Sequence, residues 1–183
     1  MRYLLGLLGI VGLVIVVVVL IIRGFSGDDG ATAGPSLTQY SQSNVVMRFT
    51  TEARVNADVA HQSLRITVGA HESKAEILQG YHYDVVDTLS YPSNEEAYGV
   101  FLRALDLLGF NRGSDDPNLQ DERGFCPAGN TFLLEITEGD RQIQRYWKTS
   151  CDEGNFAGDL VSLEELFKEQ IPDLSNFAHD VQL

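Results

Sequence analysis

The longest apolar stretch of the chain covers residues 3–22 and has an arginine on each side. At about 1.5 Å of rise per residue, it would form a helix of about 30 Å, which matches the hydrocarbon core of a bilayer. We therefore predict a transmembrane signal anchor over residues 1–23. A cleaved signal peptide, cut after Ala33, is the alternative, but its apolar segment is usually only about 7–15 residues long.

A polar segment follows this apolar stretch. Residues 24–44 are rich in Gly, Ser and Thr and hold almost no large apolar side chains. Such a composition cannot bury enough surface to offset its ordering entropy, so we predict a flexible tether. Residues 45–183 are long enough to bury the core of one ordinary domain.

Alternation of apolar and polar residues predicts strands with one buried face over residues 45–55 and 63–68. The β-rich stretch 74–90 is expected to bend near Gly80 into two further strands. Residues 131–137 and 141–149 form a predicted hairpin, because Gly139-Asp140 between them suits a two-residue turn.

Helical spacing of apolar residues predicts one main helix over residues 93–108. Ser93 and Glu96 fit a capping box at its start, and Gly109 fits a left-handed cap at its end.

A second, short helix is predicted around residues 163–167, with Ser162 and Glu165 as its capping residues. The predicted fold class is α+β. After the transmembrane helix comes a small domain of antiparallel sheet, with the main helix across one face and a short C-terminal helix.

The net charge of the chain beyond the predicted anchor limits the classes of partner that it can bind. Residues 1–23 hold two of the 13 basic residues and no acidic one, so the remainder carries 11 basic against 26 acidic residues, a net charge of −15. Such a charge disfavours nucleic acid and anionic lipid surfaces. We expect no nucleic-acid partner.

Two cysteines, Cys126 and Cys151, flank the predicted hairpin. An even pair in an exported chain indicates a disulfide. The Gly139-Asp140 turn would place Thr131 opposite Lys148 and leave the cysteines two residues out of register, so a bulge or frayed strand ends must bring them together. The disulfide also favours a cytoplasmic amino terminus and an extracytoplasmic domain at the plasma membrane.

The sequence has few residues that could form a catalytic or metal-binding site. The four histidines lack the spacing of a zinc site and are interpreted as scattered surface residues: His61, His71, His82 and His179. The loop 111–129 has four carboxylates but not the ligand order of a calcium loop, which favours a solvated loop. These are Asp115, Asp116, Asp121 and Glu122. No nucleophile, phosphate-loop or metalloprotease motif occurs, and we expect no metal and no cofactor.

The stretch Gly80-Tyr81-His82-Tyr83 is the candidate binding surface. Strand alternation would put Tyr81 and Tyr83 on one face and His82 on the other, with Tyr91 close by in sequence. Tyrosines on a sheet can stack on sugars or anchor a protein partner. Packing in the core or at a sheet edge is the alternative, and the more frequent one.

The segments RITVGAHESKAEILQGY and YPSNEEAYGVFLRALDLLGF, together with Cys126 and Cys151, resemble a group of uncharacterised, singly anchored surface proteins of reduced-genome bacteria. The resemblance covers about residues 45–172. It implies export and one small domain, and it carries no activity and no functional residues.

The expected function is therefore a membrane-anchored, non-catalytic surface module that binds a protein or a glycan. One alternative is an enzyme that acts on cell-wall or surface polymer. Another is a structural subunit of an envelope complex.

Overall fold

The computed structural model describes residues 32–181 and 183. Its strands are β1 (Thr32–Ala33), β2 (Val45–Glu52), β3 (Gln62–Val68), β4 (Glu72–Gln79), β5 (Asp84–Pro92), β6 (Arg112–Gly113), β7 (Thr131–Glu138) and β8 (Arg141–Thr149). Its α-helices are α1 (Glu95–Leu108), α2 (Leu160–Lys168) and α3 (Leu174–Phe177). Three short 3₁₀-helices cover Leu37–Tyr40, Asp58–Ala60 and Pro117–Leu119.

Six of the strands form one antiparallel sheet in the order β5-β4-β3-β2-β7-β8, and β1 pairs separately with β6. This arrangement confirms the predicted α+β class with an antiparallel sheet. Within the described residues, no helix is long and apolar enough to cross a membrane. The anchor predicted over residues 1–23, with its apolar stretch 3–22, lies outside the described residues.

The core lies between the helices and one face of the sheet. Phe167 of α2 sits at its centre, with ring centroids 5.4 Å from Phe49, 5.2 Å from Phe101 and 5.7 Å from Phe110. The apolar stripe of α1 packs onto this cluster through Tyr98, Phe101, Leu102 and Leu105. Helical periodicity thus indicated correctly which side of α1 is buried.

Both predicted N-caps need correction. The cap of α1 is Asn94, whose side chain accepts a 2.9 Å hydrogen bond from the Ala97 N–H. Ser93 is instead tied to the sheet, because its N–H donates to the His71 carbonyl. The cap of α2 is Asp159, which accepts from Ser162 N–H, so Ser162 is the partner of the cap.

Residues 32–44 differ from the predicted tether of 24–44. Leu37 is only 1% exposed and belongs to the core. Its N–H donates to the Asp106 carboxylate at 2.9 and 3.1 Å, and the Asn111 amide donates to the carbonyls of Gly34 and Pro35. A single buried leucine and a set of polar contacts hold this segment, and composition alone does not reveal either of them.

The hairpin of β7 and β8 contains a bulge. Near the turn Glu138 pairs with Arg141, as predicted. The register shifts by one residue between Thr137 and Ile136, so that Thr131 faces Thr149 instead of Lys148. Cys126 and Cys151 lie at disulfide distance, with Cα atoms 5.9 Å apart. The predicted cysteine pair is confirmed.

Candidate functional site

The sheet face that points away from the helices holds the polar side of β2, which includes Arg48, Thr50 and Glu52. This face is covered at the end of β2 that carries Glu52. Part of the cover is the segment between β6 and β7. Its Leu119 carbonyl accepts a 2.7 Å hydrogen bond from the Trp147 indole, and its Phe125 ring lies 5.0 Å from the indole. Trp147 is fully buried beneath this loop. The disulfide, with Cys126 in the same loop, ties it to the end of β8.

The β4–β5 turn provides the rest of the cover, and it changes the roles predicted for the tyrosines. Gly80 and Tyr83 have positive φ angles of 72° and 58°, so residues 80–83 turn and do not alternate as a strand would. The Tyr81 ring stacks on His61 at 4.1 Å between centroids, and its hydroxyl donates to the Asn56 carbonyl at 3.0 Å. The Tyr83 hydroxyl donates to the Glu52 carboxylate.

Tyr91 lies apart from the other two tyrosines. It stands at the far end of β5, opposite Ser73, and packs against the core on the helix side of the sheet. The structure therefore brings Tyr81 and Tyr83 together and separates them from Tyr91. For Tyr91, packing explains the position of the ring.

A chamber of about 200 Å³ lies beneath the turn and the loop. We call this cavity the chamber. Its polar and aromatic lining residues are Glu52, His61, Tyr81, Tyr83, Glu122, Arg123, Phe125 and Thr131. The disulfide closes one side, since Cys126 also lines the cavity.

His61 is the unusual member of this wall. Its side chain is 2% exposed, and neither ring nitrogen has a hydrogen-bond partner in the part of the chain that the structure describes. The interpretation of His61 as a surface histidine was wrong. Its stacking on Tyr81 and the 3₁₀-helix just before it bury the ring. A buried polar group without a partner costs stability, and a role in ligand binding or catalysis is one explanation for such a group.

The Glu52 carboxyl has a raised pKa. Burial raises its pKa, the hydrogen bond from Tyr83 opposes that rise, and the nearby Glu122 carboxylate adds to it. Burial also raises the pKa of Tyr83, and the bond to Glu52 raises it further. Glu122 itself is paired, 2.6 Å from the Arg145 guanidinium. A carboxyl with a raised pKa beside an unpartnered imidazole is typical of a binding or catalytic site.

The four loop carboxylates do not converge. Asp121 bonds the Arg123 side chain, which lowers the pKa of Asp121 to about 2. Asp116 caps the short helix that follows it by accepting from the Asn118 N–H. Residues 32–181 and 183 contain no cluster of three or more His, Cys, Asp or Glu side chains that could hold a metal ion.

Two residues of the chamber, Tyr81 and Tyr83, are among the predicted binding residues, whereas Glu52, His61 and Glu122 are not. Glu52 falls on the polar side of β2, which alternation predicts as solvent-exposed. Only the folding of a loop and a turn over that face turns it into a chamber wall. No protein-family model matches the chain, and no curated protein is similar to it in sequence.

Proposed function

We propose that this protein is an exported, non-catalytic binding module whose chamber takes one sugar unit of a surface glycan. Residues 3–22 would anchor it in the plasma membrane with the amino terminus in the cytoplasm. The observation that carries the proposal is His61, which is buried in the chamber wall with both ring nitrogens unpartnered.

The chemistry of the wall suits a sugar. The two nitrogens of an imidazole can form hydrogen bonds, and a sugar hydroxyl can act as donor or as acceptor to each of them. Glu52 adds a carboxyl group, and Tyr81, 45% exposed, presents an aromatic ring at the chamber. Aromatic rings with a few well-placed polar groups are the usual lining of small-molecule sites.

The size of the chamber sets a limit on the ligand. Pockets for drug-sized ligands usually measure about 300–1,000 Å³, whereas the chamber measures about 200 Å³. One sugar ring, or one side chain of a protein partner, is the scale that fits. A chain with 26 acidic and 13 basic residues also favours a neutral or cationic ligand over an anionic one at this site.

Export is supported by the cysteines. The disulfide pair flanks the bulged hairpin and tethers the loop that closes the chamber. Disulfides persist in oxidising compartments and are rare in the cytosol. An extracytoplasmic position would both maintain this bond and present the chamber to surface polymers.

The test is glycan binding by the full chain in uncharged detergent, measured on an array of surface glycans. We expect binding that His61→Phe and Tyr81→Ala abolish. His82→Ala is the matched control, because His82 is an exposed residue of the same turn as Tyr81, and it should bind like the wild type. Equal binding by all four proteins, or binding to a protein partner alone, would contradict the proposal.

A hydrolase of surface polymer is the second candidate, and it rests on one observation. Glu52, with its raised pKa, shares the chamber with a second carboxylate, Glu122. Glycosidases use two carboxyl groups, and a carboxyl with a raised pKa, as in Glu52, suits the role of the general acid. Release of reducing sugar by the wild type and its loss in Glu52→Gln would establish this candidate. Glycan binding without release would favour the binding module.

A further inference from the structure

The polar sheet face has a second cavity, which lies at the opposite end of β2 from Glu52. It measures about 380 Å³ and is bordered by the start of β2, the β3–β4 turn and the β7–β8 turn. Arg48, Thr67 and Lys74 lie on its sheet wall. We call it the arginine cavity, and it shares no lining residue with the chamber.

Strand register places these three side chains in one row. Arg48 on β2 lies directly opposite Thr67 on β3, and Thr67 lies directly opposite Lys74 on β4. Neighbouring strands are about 4.8 Å apart, so the two cationic side chains start about 10 Å from each other with the threonine between them. Both are long enough to reach a group held above Thr67.

Arg48 lacks a partner although carboxylates abound. The chain has 26 acidic and 13 basic residues, yet no described carboxylate lies within ion-pair distance of the Arg48 guanidinium. Its buried Nε atom has no hydrogen-bond partner in the described part of the chain. Glu135, opposite Arg48 on β7, is directed to Arg145, with 3.8 Å between Oε1 and Nε.

Thr67 gives a second, independent indication. It is 6% exposed, and its hydroxyl also lacks a partner among the described residues. Lys74 does have a partner, since its Nζ lies 2.6 Å from Glu76, but its side chain is 31% exposed. The Glu76 side chain is only 10% exposed, so Lys74 stays paired with it and adds its positive charge to the cavity wall from that position.

We propose that the arginine cavity binds an oxyanion, a carboxylate, sulfate or phosphate group, in a bidentate contact with Arg48. The planar guanidinium matches two oxygens of such a group. Thr67 donates its hydroxyl hydrogen to a third contact, and Lys74 supplies the second positive charge. Arg48 and Lys74 share the lining with one carboxylate, Glu72, and Lys74 is also paired with Glu76, so Arg48 is the cation of the lining without an ion-pair partner among the described residues. This site is independent of the function proposed for the chamber.

The test is an amide-detected NMR titration of the full chain in uncharged detergent, with chloride holding the ionic strength constant. Inorganic phosphate, sulfate and glucuronate are added separately, which distinguishes phosphate, sulfate and carboxylate as the preferred group. We expect saturable shifts of the Thr67 and Gly69 amides with at least one of them. No saturable shift with any of the three would overturn the proposal.

Variants locate the site. Arg48→Gln is expected to weaken binding about tenfold or more, because it removes a charged hydrogen-bond partner. Thr67→Val is expected to weaken binding about threefold, because it removes a neutral hydrogen-bond partner. Arg54→Gln is the matched control, because Arg54 is exposed and outside the cavity, and it should bind like the wild type. Equal affinity in Arg48→Gln, Thr67→Val and Arg54→Gln would overturn the proposal even if an anion binds.

Discussion

Replacing His61 by phenylalanine tests whether the chamber keeps an imidazole at the expense of stability. The ring is buried, stacks on Tyr81, and has two nitrogens without partners among the described residues. Each buried and unsatisfied polar group costs about 1–3 kcal/mol. His61→Phe retains an aromatic ring and removes both polar atoms.

The expected magnitude is a balance of two effects. Phenylalanine is larger than histidine, and overpacking costs about 1–3 kcal/mol in a filled core. The adjoining chamber of about 200 Å³ leaves room for the larger ring, so the overpacking penalty should be small. We expect His61→Phe to raise the free energy of unfolding by about 1–3 kcal/mol, or about 2–4 °C in Tm per kcal/mol for a chain of this size.

The assay is urea unfolding of the full chain in uncharged detergent, followed by fluorescence of Trp147. This residue is the single tryptophan and is fully buried, so its emission reports unfolding. His71→Phe is the control, because His71 is exposed, and it should change stability by less than about 0.5 kcal/mol. A loss of 1 kcal/mol or more in His61→Phe would refute the reasoning, since it would mean that the imidazole nitrogens stabilise the fold.

The disulfide, the buried Glu52 carboxyl and the docking of residues 32–44 can each be tested by substitution. The double variant Cys126→Ser/Cys151→Ser should lose about 3.5 kcal/mol of unfolding free energy, the chain-entropy value for a 25-residue separation; a loss below 1 kcal/mol in urea unfolding would contradict it. Burial raises the pKa of Glu52, so its contribution to stability falls as pH rises through the folded-state pKa. The free energy of unfolding of Glu52→Gln, relative to that of the wild type, should therefore increase from pH 4 to pH 8. A difference that does not change with pH would contradict this prediction. Asp106→Ala removes the acceptor of the Leu37 N–H; it should cost about 1.5–3 kcal/mol and speed proteolysis within residues 32–44, whereas unchanged cleavage would argue against docking of that segment.

The sheet and the main helix could be predicted because their burial follows simple periods. Strands β2 and β3 bury every second residue against the helices, and α1 buries a stripe with helical spacing. These periods arise from local backbone geometry, so they can be read from the sequence alone. The turn at Gly80 and the cap at Gly109 were also predictable, because both residues adopt positive φ angles that glycine permits.

The chamber could not be predicted in the same way. It depends on a loop without periodicity that folds over the polar side of β2, and on Tyr83, which adopts a positive φ without being glycine. The packing of Leu37 depends on Asp106, 69 residues away in sequence. Contacts of this kind link distant residues and leave no local pattern.

The most direct test of the central claim is an amide-detected NMR titration of the full chain with a glycan selected on the array. If the chamber is the binding site, the amide signals of Tyr81 and Gly124 shift saturably, and those of Val161, on the exposed side of α2, do not. The same titration of His61→Phe should show no saturable shift. Shifts confined to residues outside the chamber, or equal shifts in wild type and His61→Phe, would contradict the account.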